Sequence, residues 1–132
     1  MPAAAMMPAD MNIVLWILQV VLAVLYLPAG GMKVFTLERV TREYPSMKAL
    51  PRSVWNASGL LEIVCSAGLI VPAALHLHPS LTPLFATALA VEATLLTARH
   101  LKWKENAAIG SAVFALLAAF TAYGRFALSP LG

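Results

Sequence analysis

The chain is short of charge and almost without cysteine. Only 11% of its 132 residues are charged, and the single cysteine is Cys65. One thiol excludes an intrachain disulfide and any Cys-x-x-Cys pair, so the chain alone performs no dithiol chemistry. With 61% hydrophobic residues and a mean hydropathy of +0.81, too little polar surface remains for a soluble globular domain. No internal repeat and no long linker divide the sequence. The net charge of +3 does not point to nucleic acid, because the basic residues are scattered around the ends of apolar runs. Residues 1–11 lack the Lys or Arg of a signal-peptide n-region, so the first apolar run reads as a retained helix with a short tail.

What the sequence does contain is apolar runs of membrane-crossing length. About 20 such residues are needed per helical span, and four windows supply them: roughly 12–35, 53–75, 81–101 and 106–126. The expected fold is all-α, a four-transmembrane-helix bundle with short loops, forming one integral membrane domain over 1–132. Lys33, Arg39, Arg42, Lys48, Arg52, Arg99, Lys102 and Lys104 lie by the first-to-second and third-to-fourth connections, leaving Arg125 alone among the 9 Lys and Arg at the other end. By the positive-inside rule the two basic connections are cytoplasmic, with both termini and the turn His76-Leu77-His78-Pro79 outside. The first connection, with its mixed charge and Pro45 and Pro51, is expected to form a short interfacial helix. Asn56-Ala57-Ser58 fits a glycosylation pattern but starts a span on the cytoplasmic side, so it is set aside.

The ionisable groups inside the spans carry the information. Glu62 lies near the middle of the second run and Glu92 near the middle of the third. A charged group at mid-depth costs about 2.5–3.5 kcal/mol even on insertion scales, so each must face protein or water. Ser58, one turn before Glu62, and Cys65 and Ser66, after it, make one polar stripe on the second helix. On the first helix Asn12, Gln19, Tyr26 and Lys33 recur every seven residues and form another, expected to face the bundle interior. Gly30-Gly31, Gly59 and Gly68 favour a kink or close approach by a neighbour. The fourth run is rich in small residues at four-residue spacing, Ser111/Ala115/Ala119 and Ala118/Ala122, as expected of a packing strut. Ser111, Ala118 and Arg125 are seven apart, which lets Arg125 reach inward from the outer end.

These residues compose one candidate ligand-binding constellation: Glu62 and Glu92 at mid-depth, Tyr26, Lys33 and His100 towards the cytoplasm, and Arg125 from outside. Two carboxylates in a low dielectric must share a proton or be neutralised by a base, and Lys33 and Arg125 are the bases in reach of Glu62. The bland alternative is a buried hydrogen-bond network that fixes helix register. A metal site is not expected, since two acids and a remote His make a sparse shell. No self-contained catalytic motif occurs.

The ordered pieces Ala29-Gly30-Gly31-Met32-Lys33, Gly59-Leu60-Leu61-Glu62, Gly68-Leu69-Ile70-Val71-Pro72, His100 and Ala122-Tyr123-Gly124-Arg125-Phe126 resemble the DoxX-like family of small four-helix membrane proteins, over nearly the whole span from Asn12 to Phe126. The family's marked positions are filled here by Lys33, Glu62, His100 and Arg125; Glu92 matches none of them. The resemblance implies a bacterial inner (plasma) membrane and an association with respiratory quinone and sulfur metabolism, since founding members are subunits of a thiosulfate:quinone oxidoreductase. Eukaryotic relatives act as receptor-assembly chaperones, so the fold transfers better than the activity.

Three functions are then open. The first is a bundle that binds a small lipophilic molecule, with a quinone as candidate cofactor, as a redox-associated membrane subunit. The second is a non-catalytic assembly subunit that meets a partner membrane or redox subunit, or a second copy of itself, through its outer face. The third, a proton-coupled exporter of the small multidrug type, fits the size and the four helices, but resemblance to that family would require its key Glu in the first helix, which has none.

Overall fold

Residues 8–43, 48–78 and 80–130 are described by the computed structural model. The chain is an integral multi-pass membrane protein whose four long apolar helices form a bundle, α1 (Pro8–Phe35), α3 (Arg52–Ala74), α4 (Leu81–Lys102) and α5 (Ala107–Tyr123). Between the first two lies α2 (Leu37–Glu43), the short helix expected of the first connection. Pro45, Pro79 and the tail 1–7 lie outside the described residues. The expected span boundaries agree with the helices to within a few residues, with one difference of kind. From Gly124 to Leu128 the last helix widens into a π-helical turn, where an α-helix to Phe126 is expected.

The bundle is two antiparallel pairs, α1 with α3 and α4 with α5, joined chiefly by α3 against α4; α1 and α5 meet less extensively. Glycine sets the first pair. A Cβ on Gly30 would stand 2.5 Å from the Gly59 carbonyl oxygen, and one on Gly59 would stand 2.7 Å from that of Gly30. The two backbones are therefore in contact, as small residues allow in membrane helices. Gly31, by contrast, faces open space, so the close approach belongs to Gly30 alone. On the other side of α3, Gly68 receives the Phe85 ring of α4.

The core is continuous from Leu22 and Tyr26 of α1 through Cys65 and Leu69 of α3 to Ala86 and Leu89 of α4 and Ala118 and Ala122 of α5. Of the two small-residue stripes on α5, Ala118/Ala122 is inside, whereas Ser111 and Ala115 are half-buried and Ala119 is exposed. The first stripe drifts outward because α5 packs mainly on α4 and leaves its opposite side free. The outward faces are apolar: Val24 is 62% exposed, Leu95 67%, Ile109 71% and Leu116 72%. That inversion is the mark of a surface solvated by lipid rather than water. Threonines inside the spans bond their own helices, as Thr87, Thr94, Thr97 and Thr121 donate to the carbonyls four residues back.

Candidate functional site

The helix 1 stripe is inward, and it serves two separate polar clusters. At the terminal end of the bundle Arg125, 1% exposed, projects from the π-helical turn onto α1. Its Nε donates to Gln19 Oε1 at 2.7 Å, and one terminal nitrogen donates to Asn12 Oδ1 at 2.8 Å and to the Ser129 carbonyl at 3.0 Å. Its second terminal nitrogen is 3.5 Å from the Asn12 carbonyl, and the guanidinium lies 5.9 Å from the centroid of the Trp16 ring. Gln19 in turn donates through Nε2 to the Leu69 carbonyl at 2.6 Å. The guanidinium thus has its hydrogen bonds within the protein.

The second cluster sits towards the two basic connections. Lys33 Nζ donates to Glu62 Oε2 at 2.5 Å and to Ser58 Oγ at 3.1 Å. Ser58 Oγ donates to Glu92 Oε2 at 2.5 Å and lies 3.5 Å from Glu62 Oε2. Lys33 also stands 4.0 Å from Glu92 Oε2 and 5.8 Å from the centroid of the Trp55 ring. One ammonium and one hydroxyl therefore hold both carboxyl groups, with Glu62 1% and Glu92 8% exposed. Ser58 is in place because it lies one helical turn before Glu62 on α3. The contact of Gly30 with Gly59 brings Lys33, three residues on, across to that turn.

Beside this cluster is a partly open cavity of about 260 Å³ lined by all four spans. Tyr26, Ala29 and Lys33 come from α1, Trp55 and Glu62 from α3, Ala93, Leu96 and His100 from α4, and Ser111 and Phe114 from α5. The Tyr26 and Phe114 rings, 5.0 Å apart between centroids, meet at its wall. At its basic end His100 Nδ1 is 2.6 Å from Glu105 Oε1. Among the described residues, three buried polar atoms of the constellation have no hydrogen-bond partner: Tyr26 OH, Glu62 Oε1 and Glu92 Oε1.

Of the six residues expected to form one constellation, the structure brings together Tyr26, Lys33, Glu62, Glu92 and His100. Arg125 stands apart. The expected joint contact of Glu62 and Arg125 is not formed, because Arg125 is held at the Asn12–Gln19 level of α1 while Glu62 is held at Lys33. Gln19 and Lys33 are 14 residues apart on that helix, about 21 Å along its axis at 1.5 Å per residue.

Trp55, Ser111 and Phe114 also form the wall, and sequence reading did not assign them a site role. A signal for Trp55 was present: Trp55, Glu62 and Leu69 are seven apart and all three are buried. No group of three or more His, Cys, Asp or Glu that could hold a metal occurs among the described residues. Chemically the cavity is lined by a lysine, one carboxyl residue, a phenol, an imidazole and a hydroxyl among apolar and aromatic side chains, the mixture expected of a small-molecule pocket.

A family model for the DoxX-like family matches residues 17–123. No curated protein and no solved structure matches the chain.

Proposed function

The chain belongs to the DoxX-like family, and from that premise we propose that it binds a small lipophilic molecule in the cavity beside Lys33 and Glu62, as a membrane subunit associated with redox chemistry. The single observation that carries this reading is a cavity lined by all four spans, two of whose lining residues, Tyr26 and Glu62, each carry a buried polar atom without a hydrogen-bond partner among the described residues. A bundle built only for stability gains little from such groups, since well-packed apolar residues in place of a buried ion pair are often neutral or stabilising. A quinone is the favoured candidate ligand, since its ring suits an apolar wall with aromatic side chains and its oxygens suit the polar groups there.

In this reading Lys33, Glu62 and Tyr26 contact the head group, Trp55 and Phe114 flank the ring, and Glu92 holds the Ser58–Lys33 arrangement from behind. Arg125 has a different role, as the lock between the first and last spans. The test is the thermal midpoint of the purified protein in detergent with a short-tailed quinone, oxidised and reduced. Ligand that binds only the folded state raises the midpoint progressively with concentration. Glu62→Gln should reduce that shift, and Arg125→Lys should retain it. Absence of any shift with either redox form of the quinone and with other ring lipophiles would instead favour an assembly subunit whose polar interior serves the fold alone.

A further inference from the structure

The cavity is partly open, and the four spans around it are not equally joined. Three of them are tied to one another at its level. α1 meets α3 backbone to backbone at Gly30 and Gly59, Lys33 of α1 donates to Ser58 and Glu62 of α3, and Ser58 donates to Glu92 of α4. On the side of the basic connections, Trp55 and Leu96 of the cavity wall pack in one cluster with Leu37 of α2. α5 differs. Among the described residues its one side-chain hydrogen bond stays within the helix, from Thr121 to the Leu117 carbonyl, and it meets α1 far less extensively than α4.

The seam between α1 and α5 is closed towards the termini and parted towards the basic connections. Phe114 marks the side of α5 that faces α1, since its ring centroid lies 5.0 Å from that of Tyr26. Thr121, seven residues on, and Gly110, one turn back, share that side. Thr121 is fully buried, whereas Gly110 is exposed and a Cβ there would meet nothing within 4 Å. The same change runs along α1, where Leu22 is fully buried and Ala29, seven residues on, is half-buried. At the terminal end Leu15 packs on Gly124 and Arg125 bonds Gln19. At the level of the cavity small residues border the seam, Ala29 on one helix, Gly110 and Ser111 on the other. Ala29 and Ser111 also line the cavity, so the parting leads from the cavity to the apolar surface that faces lipid.

We infer that the cavity opens sideways into the bilayer between α1 and α5, and that it takes a ring lipophile with a long apolar tail, the ring inside and the tail leaving through this seam. The inference rests on the lipophile site proposed above and specifies the class of molecule and its path of entry. Size requires the division. A cavity of about 150 Å³ holds benzene, so one of about 260 Å³ holds a compact ring head, and a chain of several five-carbon isoprene units does not fit beside it. Left in the bilayer, such a chain keeps its apolar surface out of water.

Two probes separate an open seam from a closed cavity: methylnaphthoquinone without a tail, and the same ring with a tail of four isoprene units. Their binding to the purified full chain in lipid nanodiscs is read from the rise in thermal midpoint with ligand, at equal mole fraction in the lipid so that partition cancels. The tailed quinone is expected to bind as well as the bare ring, or better. Gly110→Phe puts a ring in the seam without touching the cavity wall; it should weaken the tailed quinone by about tenfold and leave the bare ring unchanged. A diazirine on the first isoprene unit should crosslink to the seam, at Ala29, Gly110 or Phe114, and this mapping decides should Gly110→Phe fail to fold. Binding of the bare ring without the tailed one overturns the sideways opening and leaves the lipophile site standing. So does binding of the tailed quinone that Gly110→Phe leaves unchanged, or crosslinks confined to α3 and α4. Failure of both probes to bind overturns the lipophile site and this inference with it.

Discussion

Gln19 and Arg125, 106 positions apart in the chain, are joined by a buried hydrogen bond of 2.7 Å from the arginine Nε to the glutamine Oε1. Through its own Nε2, Gln19 also holds the Leu69 carbonyl. One neutral side chain thereby ties the first, second and last spans at the same level, and the guanidinium it helps to solvate is 1% exposed.

Arg125→Leu should therefore be a stability variant. It strips Gln19 Oε1 and Asn12 Oδ1 of their donor, and each buried acceptor left unpaired costs about 1–3 kcal/mol. A loss of about 2–4 kcal/mol in detergent unfolding is expected, with Arg125→Lys milder because one donor survives. Unchanged unfolding of Arg125→Leu would show that the lock carries no energy.

The Lys33–Glu62 pair should behave asymmetrically. Glu62→Ala leaves the ammonium with its main partner gone, and breaking one side of a buried pair typically costs about 3–5 kcal/mol. Glu62→Gln retains a hydrogen-bond acceptor and should cost less. Replacing both residues, Lys33→Met with Glu62→Leu, should recover much of the loss while removing ligand binding. A double variant no more stable than Glu62→Ala would count against direct pairing.

Neighbouring glycines should differ sharply. Gly30→Ala places a methyl 2.5 Å from the Gly59 carbonyl oxygen, whereas Gly31→Ala meets nothing within 4 Å. Overpacking of this kind costs about 1–3 kcal/mol, while alanine at a helical position that accepts it stabilises by about 0.4–1 kcal/mol. The readout is the pair of thermal midpoints, which should move in opposite directions. Equal shifts would mean that α1 and α3 do not rely on backbone contact.

Topology is open to direct measurement. In a Cys65→Ser background, a cysteine at Asp10 should react with an impermeant reagent in intact cells and one at Lys102 should not, since the basic connections are expected on the cytoplasmic side. The reverse labelling pattern would invert the assignment.

Much was decided by sequence alone. Apolar runs of sufficient length can satisfy their backbone in lipid only as helices, so the four spans and their short connections follow from composition and order. The inward face of α1 follows as well, because Asn12, Gln19, Tyr26 and Lys33 recur at the interval that keeps them on one side. Only the tertiary structure decided how that stripe is divided. From Asn12 to Lys33 is 21 residues, about 31 Å along a helix, farther than any one partner can serve. Which partner meets which level depends on where the helices approach closely, and that is set by the backbone contact of Gly30 with Gly59 and by the Leu15 side chain packed on Gly124. Those contacts give Asn12 and Gln19 to Arg125, and Lys33 to Glu62 and, through Ser58, to Glu92. The place of Glu92 was beyond reach of the sequence for the same reason: its partner Ser58 lies 34 positions away, on another helix. Periodicity orders side chains along and around one helix but carries no information about the height of its neighbour.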